Sequence, residues 1–298
     1  MNGNGSCCVI CQSRELAVYL DDNQEVLESA AFGSSRRMIT HGRILRCLKC
    51  GFGFRQVRSD ALQLAELYRR MDTGIYEAEA PGRARTAARH LKIVQRYSPP
   101  GRILDVGCAS GLFLCLAQKA GWDVVGLEPS ESLFEKAESA LKGRGEVYRM
   151  TLEQAELPRD TFDAVTLWDV LEHVADPLGF LTTCRCLLKP QGRLFLNVPN
   201  LDSKEAHWLG SRWPLLLAEH LNYFTPASLG LCGEQGGLEW LDFRQRPSSF
   251  SIDYILYRLS QHNIPGASVG RKLVSGSLGR MTIPIYLGEL CAVGRRRG

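Results

Sequence analysis

Two cysteine pairs near the start of the chain, Cys8-x-x-Cys11 and Cys47-x-x-Cys50, have the spacing at which a tight turn brings two thiolates to one metal ion. Four thiolates in tetrahedral positions suit zinc, and such a closed ligand set points to a structural site. Cys7 is also a candidate for the place of Cys8, so the first ligand stays open between them. Further along, "LDVGCASG" sets Asp105, Gly107, Ala109 and Gly111 at a strand-to-helix turn, and "GLEPS" places Glu128 about twenty residues later. Small residues let such a turn pass close to a ligand, while the helix that follows presents unpaired N–H groups. The other reactive side chains lie in "DVLEHV", with Asp169, Glu172 and His173 at i, i+3 and i+4, and in "LLAEHLNYFTP", with Glu219 and His220.

The acid two residues before the first glycine decides what the turn can hold. The dinucleotide fingerprint G-x-G-x-x-G is not completed here, because its third glycine is missing. A carboxylate beside the turn repels a pyrophosphate but suits a ligand with an ammonium and a sulfonium. Glu128, at the end of the second strand, can accept hydrogen bonds from both ribose hydroxyls. Together these features point to S-adenosylmethionine (SAM) rather than a nicotinamide dinucleotide. Methyl transfer from a sulfonium is an in-line displacement, so the protein must align the acceptor, and a hydroxyl or carbon acid also needs a base. His173 and His220 are the candidate bases, and the aromatics around His220 (Trp208, Trp213, Tyr223 and Phe224) are candidate walls of an acceptor pocket. Asp169, Glu172, His173 and His220 also form an oxygen-and-nitrogen ligand set that would suit magnesium or manganese. The plainer alternatives are a local acid-histidine hydrogen bond and, for His220, a loop side chain capping a backbone group.

These residues need a scaffold, and the pattern changes along the chain supply one. Residues 1–56 form the cysteine module, too small to bury much apolar surface without metal. Residues 57–97 read as a helical connector: "DALQLAELYRRM" and "RARTAARHLKIVQRY" repeat apolar positions at helical spacing before "SPPG". From 98 to 298 strands and helices alternate: "RILDVGC", "DVVGLEP", "EVYRM", "FDAVTLW" and "GRLFLNVPN" are strands, and "FDAVTLWDVLEHV" reads as a strand entering a helix. That alternation implies an α/β fold with a parallel sheet and ligands beyond the carboxyl ends of its strands. Residues 248–285 form an insertion placed to cover substrate or to make a dimer contact, with Arg271, Lys272 and Arg280 as its basic side chains.

Composition narrows the partners. With 36 Lys and Arg against 32 Asp and Glu, the net charge is +4 over 298 residues, which argues against a surface devoted to nucleic acid. The cysteine module is too evenly charged for a strong phosphate footprint. The opening "MNGNGSCCVICQSRE" lacks the basic and apolar regions of a signal peptide, and no apolar run is long enough to span a membrane. The expectation is therefore a cytoplasmic protein, a monomer or homodimer, whose eleven cysteines serve metal binding and burial rather than disulfides.

"ILDVGCASG", "VVGLEPS", "LPRDTFDAVTLWDVLEHVADP" and "LLKPQGRLFLNVPN" resemble, in order and spacing, the successive motifs of class I SAM-dependent methyltransferases over about residues 101–200. The resemblance implies a seven-stranded Rossmann-like sheet with a reversed final strand, for which "LEWLDFRQR" and "GELCAVGRR" are the sixth and seventh strands. It also implies that Asp105 lies near the methionine part of SAM, Gly107, Ala109 and Gly111 line the turn, Glu128 holds the ribose and Glu153 the adenine amine. Leu152 and Trp168 would be apolar or backbone neighbours of the cofactor. Ala109 stands where most members have glycine. The order of a zinc-ribbon-like module, a SAM domain and "EHLNYFTPASL" is similar to that of zinc-containing sugar C-methyltransferases, in which the Glu-His pair supplies the base. That maps onto Glu219 and His220, with Leu217 in place of the subgroup's tyrosine. The expected activity is methylation of an oxygen or carbon on a small molecule: a sugar nucleotide, glycan precursor or secondary metabolite. The alternative, on the likeness of the glutamate-histidine pair, is a quinone-type or RNA O-methyltransferase assisted by a divalent metal.

Overall fold

The computed structural model describes residues 7–21, 42–56, 79–217, 219–261, 270–271, 273–274 and 276–297. The first half of the expected connector, 57–78, lies outside them, as does Lys272. Three short strands come first: β1 (Leu16–Leu20), β2 (Ile44–Cys47) and β3 (Gly53–Arg55). Next is α1 (Ala80–Tyr97), which has proline in its first turn and buries Ala87, His90, Leu91 and Val94 at helical spacing. It stops at Ser98, in extended conformation ahead of two prolines, as expected of a residue steered out of the helical region by the next ring.

The alternating part follows as β4 (Arg102–Val106), α2 (Leu112–Lys119), β5 (Asp123–Leu127), α3 (Glu131–Leu141), β6 (Glu146–Tyr148), β7 (Phe162–Trp168), α4 (Pro177–Leu187) and β8 (Leu188–Pro199). After it come α5 (Lys204–Leu209), β9 (Asn222–Tyr223), α6 (Pro226–Gln235), β10 (Leu238–Gln245), β11 (Ser248–Ser251), α7 (Ile252–Gln261), β12 (Thr282–Ile285) and β13 (Glu289–Arg296). The main sheet has seven strands in the order β10-β13-β8-β7-β4-β5-β6. The β4 to β8 pairings are parallel, and β13 runs antiparallel to both its neighbours, which is the reversed final strand expected.

Alternation along each strand sends apolar side chains to both faces. Ile103, Val124 and Phe195 pack with Leu91, Val94 and Leu114 on one side, whereas Leu104, Val125, Leu194 and Leu196 pack with Leu181 and Leu188 on the other. Register then lines up the ends: Asp105 lies opposite Thr166, Trp168 opposite Asn197, and Pro199 opposite Glu289. One edge of the sheet therefore carries most of the polar residues picked out from the sequence.

The cysteine module is joined to this body by more than chain connection. Its strands form a four-stranded antiparallel sheet β1-β2-β3-β9, so the last strand comes from residues 222–223. Cys8, Cys47, Cys50 and Phe52 share an apolar cluster with Leu167, Leu196, Phe224 and Leu229.

The segment after β7 departs from expectation. Asp169 takes a left-handed backbone at φ 58°, a single 3-10 turn covers Leu171–His173, and the helix begins at Pro177. There Asp176 caps it by accepting the Gly179 N–H at 3.0 Å. Glu172 and His173 therefore sit on a turn rather than on a helix face with Asp169. In the insertion, β11 and β12 make a ribbon fixed to the start of α1, where Glu79 accepts both the N–H and the hydroxyl of Ser251, at 2.8 and 2.7 Å. Arg271 pairs with Asp253 within the insertion itself.

Candidate active site

Beyond the carboxyl ends of β4, β5 and β7, Gly107, Ala109 and Gly111 have φ of 71°, 48° and 75°. Glycine adopts this left-handed region at no steric cost, whereas a Cβ costs about 1 kcal/mol, so Ala109 is held there under strain. At Gly107 space is limiting as well, because a Cβ would meet Val170 Cγ2 at 2.9 Å. Gly111 starts α2 without a side-chain cap, which leaves first-turn N–H groups for a ligand.

Two buried carboxyls support this turn. Asp105 Oδ1 accepts the Thr166 hydroxyl at 2.6 Å. Glu128 accepts the Ala109 N–H through Oε2 at 2.9 Å and the Ser130 N–H through Oε1 at 2.8 Å. Burial pushes Asp105 up to about 7, against the Thr166 bond and helped by the nearby Glu128. Burial also raises Glu128 to about 7, although its two backbone donors pull it down. Carboxyls already reluctant to ionise would gain most from a ligand bringing positive charge and hydroxyl donors, and a pyrophosphate brings neither.

Around them, Leu152 is buried while its neighbour Glu153 is exposed. Trp168 ends β7 and stacks on His90 of α1 with ring centroids 3.8 Å apart, and Phe113 approaches its edge at 5.6 Å. Its indole N–H is buried without a hydrogen-bond acceptor. The left-handed turn, the carboxyl that would face a ribose and this donor fit a bound SAM.

A second group lies past β7 and β8. His220 Nδ1 is 2.9 Å from the Leu215 carbonyl, and His173 Nδ1 is 3.0 Å from the Glu219 carbonyl. A carbonyl can only accept, so each ring carries its proton on Nδ1 and its lone pair on Nε2. The rings meet edge to face, 4.9 Å between centroids. One ligand atom each from Glu172, His173 and His220 lie within 4.8 Å of one another. Asp169 is not in that group: the left-handed bend turns it to Asn197, whose Nδ2 donates to it at 2.7 Å. The four-residue ligand set expected from sequence is therefore reduced to three.

Burial dominates the titration of this half. It pushes His173 down to about 4 and His220 well below its usual value, with His173 adding to the effect on His220. It raises Glu172 well above the carboxylate range, Glu219 to about 7 and Glu289 to about 8. Glu172 Oε2 and Glu219 Oε2 are buried here without a hydrogen-bond partner, as are Asn197 Oδ1 at the end of β8 and Glu205 Oε2 in α5. Of the expected aromatic walls, Trp208 is 94% exposed, Trp213 donates to the Leu287 carbonyl and Phe224 packs in the core, whereas Tyr223 meets the His220 ring edge to face with centroids 6.0 Å apart.

Comparison with known proteins supplies the family. A profile described as "Methyltransferase domain" matches residues 77–242, more than half of the chain. The chain belongs to this methyltransferase family. Among its relatives is the "Ubiquinone biosynthesis O-methyltransferase" of Coxiella burnetii, 31% identical over 161 residues, which are 50% of this chain and 69% of that protein. A SAM-dependent methyltransferase of Thermotoga maritima shares the fold at TM-score 0.53 and 17% identity, over 78% of this chain and 100% of that one. Another, from Leishmania major, does so at TM-score 0.52 and 16% identity, over 78% of this chain and 82% of that one. The protein is therefore a SAM-dependent methyltransferase enzyme with a Rossmann-like α/β fold. Among the described residues no helix is long and apolar enough to cross a membrane.

The methyltransferase also carries its four cysteines as one cluster. The sulfurs of Cys8, Cys11, Cys47 and Cys50 all lie within 4.8 Å of one another, with Cys8–Cys50 at 3.6 Å and Cys11–Cys47 at 3.4 Å. A tetrahedral zinc site with Zn–S near 2.3 Å has sulfurs about 3.8 Å apart, so the donor set fits. The two turns also match each other. Gln12 and Gly51, each following the second cysteine of its pair, have φ of 60° and 77°, and each donates its N–H to the first cysteine's carbonyl at 2.9 Å. Cys7 stands outside and donates to Gln12 Oε1, which leaves Cys8 in the cluster.

Several polar neighbours of the methyltransferase site had no signal of their own in the sequence. Thr166, Asn197 and His90 read as ordinary strand and helix residues. Glu289 is brought in by the reversal of β13, which sets its first residue beside the end of β8.

Proposed function

We propose that the enzyme transfers a methyl group from SAM to an oxygen or carbon of a small hydroxyl-rich acceptor, of the kind found in sugar nucleotides, glycan precursors or secondary metabolites. The observation that carries this reading is the buried edge-to-face pair of His173 and His220 beside Glu172 and Glu219, where His220 presents an Nε2 lone pair and one oxygen of each carboxyl lacks a hydrogen-bond partner. Carboxyl oxygens and an imidazole nitrogen left without partners suit an acceptor carrying several hydroxyl groups, each of which can both donate and accept.

SAM, when bound, supplies an electrophilic methyl group. Asp105, Gly107, Ala109 and Gly111 would hold its methionine end at the turn, Glu128 the ribose, and Leu152, Glu153 and Trp168 the adenine side. On the acceptor side, Glu219, held near pH 7 by burial, would be the proton reservoir. His220 and His173 would direct the acceptor's proton toward it. Cys8, Cys11, Cys47 and Cys50 would hold a structural zinc ion.

Incubation with methyl-labelled SAM and a panel of sugar nucleotides, phenols and quinols, read by mass spectrometry, tests the reading. It expects a gain of one methyl on a polyhydroxylated member; labelling confined to single-hydroxyl aromatic compounds would contradict it.

A second reading draws on the convergence of Glu172, His173 and His220. Two imidazoles and a carboxylate can hold a divalent cation, which would place O-methylation of a quinol-type acceptor in view, and the Coxiella relative is named as an O-methyltransferase of ubiquinone biosynthesis. Calorimetric titration of the SAM-bound enzyme with magnesium, manganese or zinc decides. Saturable binding lost in Glu172→Gln favours it, and no binding heat removes it.

A further inference from the structure

We infer that the four-cysteine cluster is a positioning device for the acceptor half of the site: a tetrahedral cation there fixes β9, and with it Glu219 and His220, while the cofactor half stands without it. The connection can be followed residue by residue. The second cysteine turn ends at Cys50-Gly51-Phe52, and the next residue, Gly53, begins β3. Strand β3 is the ladder partner of β9, with Gly53 opposite Tyr223 and Phe54 opposite Asn222. Arg55 extends the pairing by donating its N–H to the Leu221 carbonyl at 3.1 Å.

Side chains reinforce that join. Phe52 packs on Phe224 with centroids 5.2 Å apart. A Cβ on Gly51 would lie 3.2 Å from Thr225 Oγ1, so the cysteine turn touches the residue that caps α6. From β9 the chain of contacts reaches the turn after β7. Leu221 donates its N–H to the Glu172 carbonyl at 2.8 Å, Asn222 donates to the Leu171 and Val174 carbonyls, and His173 donates to the Glu219 carbonyl. Residues 219–225 are thus held between the cysteine module and the histidine turn.

The cofactor turn is tied differently. Its bonds run among β4, β5 and β7: Asp105 with Thr166, Glu128 with Ala109 and Ser130, and the Gly107 N–H with the Leu127 carbonyl. None of these passes through residues 7–56. The module's own strands are only five, four and three residues long, so they contribute few ladder bonds to holding its register. Cation binding is then what orders them, since the free energy of a structural metal site is folding free energy.

This inference rests on the assignment of Glu219 and His220 to the acceptor half, and its test needs no acceptor. The full-length zinc-loaded enzyme and the same protein stripped by a chelator under reducing conditions are compared by amide hydrogen exchange over 219–225 and by SAM affinity from calorimetry. Stripping is expected to speed exchange there by about tenfold or more, while the SAM Kd changes less than about threefold and re-added zinc restores protection. Gly53→Ala supplies a second arm that leaves the cysteines intact. Its Cβ would meet Leu201 Cδ2 at 2.7 Å and Tyr223 Cβ at 3.1 Å, so the Leu201 side chain must turn and Tyr223 of β9 must give way, which loosens the β3–β9 pairing. It is expected to show the same faster exchange with one zinc per chain and an unchanged SAM Kd. Retained protection at 219–225 after stripping overturns the inference. So does a parallel loss of SAM binding, which would make the cluster a prop of the whole fold, and wild-type exchange at 219–225 in Gly53→Ala overturns it as well, since the cluster acts on that segment through β3. Failure of the assignment itself would appear separately, as unchanged turnover in His220 variants.

Discussion

Replacing Glu128 by glutamine tests the cofactor half without changing its shape. The carboxylate serves two backbone donors at once, Ala109 N–H at 2.9 Å and Ser130 N–H at 2.8 Å. A glutamine has one acceptor oxygen, so its NH2 must face the other N–H, and one bond to a charged group is lost at about 1.5–3 kcal/mol. In the free protein that loss loosens the strained turn at Ala109. In the complex, a hydroxyl donating to the carboxylate loses its charged acceptor at a similar cost. Each 1.4 kcal/mol is tenfold in affinity, so Glu128→Gln is expected to raise the SAM Kd by roughly 10- to 100-fold. Isothermal calorimetry with SAM and its demethylated product reads this directly, and circular dichroism checks that the fold persists. A Kd within about threefold of wild type would refute the role given to Glu128.

Other consequences are equally open to measurement. Asp105 and Glu128 are held near 7 in the free protein, and a cationic ligand with hydroxyl donors favours their ionised forms. SAM binding should therefore release protons at pH 7 and weaken below it, by up to about tenfold per pH unit for each proton that binding must release. Equal binding heats in buffers of different ionisation enthalpy would contradict this. Ala109 occupies a left-handed backbone, so Ala109→Gly should match or exceed wild-type stability in urea unfolding, whereas branched Ala109→Val should lose more than about 1 kcal/mol; equal loss in both would show the strain to be absent. Cys8→Ser should abolish stoichiometric zinc, while Cys7→Ser should keep one zinc per chain by elemental analysis.

The parts of this account that sequence made legible rest on local signals. The strand-helix alternation, the glycine-rich turn from Asp105 to Gly111, Glu128 twenty residues on and the paired cysteines all lie within short windows. The reversal of β13 came through the resemblance rather than through periodicity. What escaped sequence reading depended on distant contacts. The spacing of Asp169, Glu172 and His173 is the same on a helix and on a 3-10 turn. Only the φ of 58° at Asp169 and its bond from Asn197 separate the two, and Asn197 is 28 residues away. Strand β9 has two residues, too few for any periodicity, and its partner Gly53 is far away in the chain. His90 stacks on Trp168 from a helix whose pattern marked it merely as an inward position. Trp208, grouped with the other aromatics by proximity in sequence, points to solvent because α5 buries only Ala206.

The central claim is that the buried pair at 219–220 handles the acceptor's proton, and His220→Asn isolates it. Asparagine can keep the donor to the Leu215 carbonyl, which His220 supplies at 2.9 Å, while removing the Nε2 lone pair. With the acceptor found in the labelled-methyl panel, kcat should fall by about 10²–10⁴-fold, the range for a lost proton-transfer group, with the SAM Kd unchanged. Turnover equal to wild type in His220→Asn, with SAM bound as before, would contradict the account.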